Sequence, residues 1–90
     1  MSKGRGIVLK LNEQFWPEVM SGEKCFEIRL NDRGYQKGML INFDVRQDNG
    51  WKSTCFGEYH KDMWFEITYV LSGWGLKENH VVFGIKKVAE

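Results

Sequence analysis

The chain holds one proline, two histidines and two cysteines in 90 residues, and each scarcity removes a class of protein. With a single Pro and no Ser-rich or repetitive stretch there is no linker, so the chain reads as one domain over residues 7–88 behind a flexible basic terminus, residues 1–6. Cys25 and Cys55 lie in apolar-patterned segments without the paired spacing of a zinc site or a disulfide framework. They read as buried free thiols in a reducing compartment. His60 and His80 are remote from each other and from the cysteines in sequence, which speaks against a metal, and no motif asks for a cofactor. No apolar run approaches membrane-spanning length. The apolar residues after the basic start are interrupted at Lys10, Asn12 and Glu13, too early for a secretion signal. The expectation is a cytoplasmic protein with no membrane partner. A large excess of positive charge is also missing: 13 Lys and Arg against 12 Asp and Glu leave a formal net charge of +1, which argues against a strongly basic nucleic-acid clamp.

What the chain does have is aromatic bulk, with four Trp, six Phe and three Tyr. A domain this short must offset on the order of 100–200 kcal/mol of conformational entropy, so the default role of these rings is core. The charges, although balanced in total, are unevenly placed. Residues 1–12 carry Lys3, Arg5 and Lys10 without an acid; residues 24–38 carry Lys24, Arg29, Arg33 and Lys37 against Glu27 and Asp32. This pattern fits a local basic patch and equally an ordinary mixed surface.

Alternation with period two dominates, because one face of a strand meets the core and the other meets water. It predicts strands around Ile7–Leu9–Leu11, Phe26–Ile28–Leu30 and Ile41–Phe43–Val45, then over residues 51–59, 64–71 and 81–88. In the third, Asn42, Asp44 and Arg46 are expected on the water side. Asn49-Gly50 supplies a tight hairpin turn. One segment breaks the pattern: Phe15, Trp16, Val19 and Met20 recur at helical spacing, with Pro17 in the first turn and Gly22 as the C-terminal cap. About six strands and one short helix between the first two predict a mainly β (α+β) fold, a curled sheet or small β-barrel that hides its edges.

The densest cluster of charge is 21–34, SGEKCFEIRLNDRG. Taking Phe26, Ile28 and Leu30 as the core face puts Glu27 and Arg29 together on the other face. There they are either plain solubilising charges or a pair lining a groove. Asn31-Asp32-Arg33-Gly34 reads as a polar turn with side-chain caps, or as a recognition loop.

These residues resemble a known family. The string SGEKCFEIR is similar to the Gly-x-Lys-x-x-Glu-x-Arg signature of the ASCH domain, a member of the PUA-like superfamily of small β-barrels, and looks most like a compact branch frequent in bacteria and phages. Residues 26–38 and 67–86 extend the resemblance over nearly the whole chain. Two departures stand out: relatives often open with a His-x-Leu-Lys strand where this chain has Ile7-Val8-Leu9-Lys10, and Asn79-His80 replaces the Gly and aromatic residue common there. His80 then reads as a surface residue at a strand start, or as a partial substitute near the site.

The resemblance implies a PUA-like barrel that grips RNA or a single, often modified, nucleobase or nucleoside in a cleft. In such a cleft Lys24, Arg29 and Arg33 neutralise phosphate, Glu27 or Asn31 reads a base edge, and Tyr35 and Trp74 stack. Trp74 reads also as a plug closing the barrel's end, the slightly preferred role. The resemblance implies a second class, small amidohydrolases acting on acetylated cytidine, in which Lys24 and Glu27 would be catalytic. A lysine nucleophile must be neutral, however, and Glu23 and Glu27 beside Lys24 favour its charged form. Those enzymes also carry Thr where this chain has Glu27, and a further acid, for which Glu78 is the candidate, would be needed. A third class is a phage-type protein that binds a host protein. Binding of RNA or a nucleobase leads, and nothing in the residues sets the oligomeric state.

Overall fold

The computed structural model describes residues 6–46, 48–49, 52–53, 58–59 and 63–88. The first strand, β1 (Gly6–Asn12), buries Leu9 and Leu11 and exposes Val8 and Lys10. The Asn12 side chain accepts the Gln14 N–H at 3.0 Å and opens a 3-10 turn, Glu13–Phe15, which runs directly into α1 (Trp16–Ser21). Pro17 sits in the first turn, where its missing N–H breaks no helical bond, and Gly22 ends the helix at φ +86°. Six residues make too short a helix to stand alone. Packing holds it: Val19 is buried, and the Trp16 ring meets Phe43 edge-on at 6.5 Å.

The remaining strands are β2 (Phe26–Leu30), β3 (Leu40–Arg46), the short β4 (Asp48–Asn49), β5 (Lys52–Ser53) and β6 (Glu58–Tyr59), then β7 (Phe65–Ser72) and β8 (His80–Lys87). The main path through the mixed sheet is β1-β3-β7-β8-β2, with β6 also paired to β3. β1 lies parallel to β3 and the other pairs are antiparallel. The sheet therefore has β1 at one end of the path and β2 at the other. Among the described residues no ladder joins these two strands. A side chain does: the Arg29 guanidinium of β2 donates through Nη2 to the Lys10 carbonyl oxygen of β1 at 2.8 Å. The fold is mainly β with one short helix after β1, and a single arginine spans the gap that a ladder would have to close for a barrel.

The core gathers Leu9, Leu11 and Val19 with Ile41, Phe43, Val45, Phe65, Ile67, Val81, Phe83 and Ile85 from the inner faces of four strands. Asn42 departs from expectation. It is fully buried rather than on the water side, with its Oδ1 accepting the Phe43 N–H at 2.7 Å, so β3 is covered on both faces. Asp48 and Asn49 pair antiparallel with Ser53 and Lys52, so Asn49, expected in the hairpin turn, belongs to the ladder. Of the single strand expected over residues 51–59, the described residues form two separate pieces, β5 and β6. Among the described residues no helix is long and apolar enough to cross a membrane.

Candidate functional site

β2 presents the opposite face from the one its sequence suggests. Glu27 pairs with Phe83 and Arg29 with Val81, both core residues of β8, so the charged pair points inward. Glu27 is only 4% exposed, whereas Phe26, Ile28 and Leu30 stand 43%, 55% and 49% exposed. A carboxylate survives in such a place only when its oxygens are paired. Lys24 Nζ lies 2.5 Å from Glu27 Oε2, and Arg29 holds Oε1 through Nε at 3.1 Å and Nη2 at 3.0 Å. The apolar row therefore turns outward because the polar row is neutralised within itself and fills the inner corner beside Phe83.

Lys24 reaches this corner because it precedes β2. Were it inside the strand, three residues from Glu27, it would project to the opposite side. The Gly22 turn delivers it to the strand entrance, where its backbone N–H bonds the Glu18 carbonyl at 2.9 Å. Its ammonium donates to the Phe26 carbonyl oxygen at 2.9 Å and lies 5.0 Å and 5.3 Å from the ring centres of Phe26 and Phe15. Two acceptors and two π faces surround the charge, the environment of a held cation.

The Arg29–Lys10 bridge divides a cleft between β1 and β2 into two arms, each of about 400 Å³. Val8, Lys10, Leu30, Asp32, Arg33 and the edge of Tyr35 line one arm. Leu11, Asn12, Phe15, Lys24, Phe26 and Glu27 line the other, whose walls are the more apolar. Arg29 and Lys10 belong to both. The structure thus brings together Lys24, Glu27 and Arg29, with Arg33 along the same cleft.

The other expected site residues do not stand as free groups in the cleft. Tyr35, expected as a stacking platform in a loop, is a core residue, 6% exposed and packed on Phe83 at 4.7 Å between ring centres. Burial pushes its phenol above the ordinary 10.0, against the opposing pull of Arg29. Its loop is tied down by the Asn31 side chain, which accepts the Tyr35 N–H at 3.1 Å, and by bonds of 2.8 Å and 2.9 Å between the Gly38–Met39 backbone and Ile67. Asn31 caps its turn and faces a separate hollow lined also by Glu78 and His80, so neither Asn31 nor Glu78 lines the cleft with Lys24. His80 opens β8, its Nδ1 3.0 Å from the Glu78 carbonyl oxygen. Trp74 is neither plug nor cleft wall: it is 88% exposed at φ +51°, flanked by Gly73 and Gly75 at φ +76° and +88°. Cys25, expected buried, is exposed, because it precedes the strand and only its carbonyl is drawn in, accepting the Ile85 N–H at 2.9 Å. Cys55 and His60 lie outside the described residues.

Sequence reasoning missed Lys10, Phe15 and Phe26. The signal for the two rings was present, since an inward Glu27 requires an outward Phe26, and the turn after β1 aims Phe15 at the same entrance. Lys10 contributes a backbone oxygen, which leaves no trace in a sequence. Among the described residues no group of three or more His, Cys, Asp or Glu side chains could hold a metal ion.

No curated protein matches the chain. Residues 7–85, most of its length, match the family described as Domain of unknown function (DUF3850), and the chain belongs to that family.

Proposed function

We propose that this protein binds RNA or a single nucleobase in the cleft between β1 and β2, as a PUA-like barrel of the ASCH type. The observation that carries this reading is a nearly buried carboxylate, clamped by Lys24 and Arg29, at the wall of a cleft that also offers aromatic surface. Arg29 donates to Oε1 through Nε, with Nη2 in ion-pair contact beside it, and Lys24 takes one site on Oε2. A carboxylate has about four lone-pair sites, so Oε2 keeps acceptor capacity for the amino or imino N–H of a base. Phe15 and Phe26 supply stacking surface at that arm, worth about 1–3 kcal/mol per base. Lys24 and Arg29 are committed to Glu27, which leaves Lys10 and Arg33 as the phosphate contacts. The Arg29–Lys10 bridge supports the barrel reading, since it joins the strands at the two ends of the sheet path.

The surroundings of Lys24 weigh against the amidohydrolase reading. A nitrogen that donates to a carboxylate and a carbonyl, between two rings, is placed as an ammonium rather than as an attacking amine.

Fluorescence anisotropy with short single-stranded RNAs at several salt concentrations tests the proposal. Two phosphate contacts give a slope of log K against log salt of about −1.4, and Arg33→Ala reduces it by about 0.7. Phe15→Ala weakens binding about 5-fold or more, the lower end of one lost stacking contact. Affinity that ignores salt and both substitutions, for RNA and for free nucleosides alike, would sink the proposal.

A further inference from the structure

We propose that the hollow between the end of β2 and the β7–β8 loop is a second, nucleoside-sized subsite, so that the ligand is a single RNA strand seated across cleft and hollow rather than a free nucleobase. The inference rests on the reading of the cleft given above and extends it to a place outside the cleft. The hollow holds about 410 Å³, within the range of small-ligand sites, and Asn31, Ser72, Leu76, Lys77, Glu78 and His80 line it. Leu76, half-buried, gives it apolar surface. Its frame is fixed before any ligand arrives. The Asn31 N–H donates to the Asn79 carbonyl oxygen at 2.8 Å, the His80 N–H to that of Lys77 at 3.0 Å, and the Leu76 N–H to that of Gly73 at 3.0 Å.

Polar groups on that frame are left over for a ligand. Asn31 Oδ1 accepts the Tyr35 N–H, which fixes the amide and leaves its –NH2 as a donor. A carbonyl oxygen only accepts, so His80 Nδ1, 3.0 Å from that of Glu78, carries the hydrogen, and in the neutral ring Nε2 remains an acceptor. The Ser72 hydroxyl and the Lys77 ammonium have no partner among the described residues. Donors and an acceptor beside apolar surface suit a base edge or ribose hydroxyls. Lys77 and Glu78 balance in charge, so the hollow suits a nucleoside and leaves phosphate to Lys10 and Arg33 of the cleft. Trp74, next to the hollow's wall at Gly73, supplies a stacking face. It is 88% exposed at φ +51°, a left-handed backbone that is costly for a residue with a Cβ, and the ring gains little by packing. Cleft and hollow adjoin: Leu30, Asp32 and Arg33 line the cleft, and Asn31, within the same turn, lines the hollow. A strand that crosses this turn at Arg33 fills both.

Isothermal titration of the full chain with ribonucleoside monophosphates and with mixed-sequence RNA tetranucleotides tests the proposal. Tetranucleotides are expected to bind at least about 5-fold more tightly than mononucleotides, the gain from one further stacked base. Trp74→Ala is expected to remove that gain, and Ser72→Ala to remove about 2- to 10-fold of tetranucleotide affinity, the worth of one hydrogen bond. Both side chains are exposed, so each variant should keep the wild-type thermal transition, which is checked first. If tetranucleotides bind no better than mononucleotides, or keep their advantage in Trp74→Ala, the hollow is not a subsite, while sensitivity of either ligand to Phe15→Ala still upholds the cleft. A gain that Trp74→Ala removes but an affinity that Phe15→Ala leaves intact overturns the cleft reading and the two-site strand with it. Absence of binding by every one of these ligands overturns both.

Discussion

Replacing Glu27 by Gln tests the inner corner of the cleft most directly. The substitution keeps volume and one acceptor, removes the charge, and turns an –NH2 group towards either Lys24 or Arg29. Two cations then share a corner with no anion between them. Breaking a fully buried pair costs about 3–5 kcal/mol. The Lys24 and Arg29 side chains retain 19% and 23% of their exposure, so water recovers part of that loss. The expected cost is about 2–3 kcal/mol, against a total of about 5–13 kcal/mol for a chain of this length. At about 4–8 °C per kcal/mol, Tm falls by roughly 10–20 °C. Urea unfolding measures the free energy, and an unchanged m-value shows that stability has changed without a change in the surface exposed on unfolding. Asp44→Asn is the comparison. Arg46 grips Asp44 at 2.6 Å and 2.9 Å, a tighter geometry, but the pair is only half-buried, and its loss costs about 0–1 kcal/mol. If Glu27→Gln costs less than about 0.5 kcal/mol, or no more than Asp44→Asn, the triad is not what holds β2 with its charged face inward.

Two other substitutions probe residues whose roles the structure revises. Trp74→Gly relieves a left-handed backbone and removes a ring that touches little, so stability is expected to stay level or rise by up to about 1 kcal/mol, whereas loss of a barrel plug would lower Tm sharply. Tyr35 gives a pH signature: burial raises its phenol above 10.0, so the unfolded chain ionises first, and the stability from this group is whole below pH 10.0 and lost as pH rises towards the folded value. Urea midpoints between about pH 8 and pH 11 should therefore fall less steeply at the alkaline end in Tyr35→Phe than in wild type, and equal slopes would refute the assignment.

Strands β1, β3 and β8 are legible from sequence because their inward positions are apolar and so declare their own direction. Helix α1 is legible from Pro17 and Gly22, and the same Gly22 places Lys24 at the entrance of β2. β2 is not legible in this way. Period two in Phe-Glu-Ile-Arg-Leu says that the two faces differ, but hydrophobicity points the wrong way once three charges neutralise one another. The register with β8 decides, and register is a property of the assembled sheet. Tyr35 was misplaced for a related reason. A flanking Gly34 marks a loop, but only the long-range bonds of Gly38 and Met39 to Ile67 show that this loop is drawn over the core.

The strand order carries a consequence for motion. Among the described residues, β1 and β2, which make the cleft, each have a ladder on one side only, whereas β3, β7 and β8 are held on both. In amide exchange the central three strands should report global unfolding, while the outer two open earlier, in local excursions limited chiefly by Arg29. A ligand seated across the gap acts as a missing rung. Its grip would be recorded as slowed exchange in strands distant in the ladder and adjacent in space.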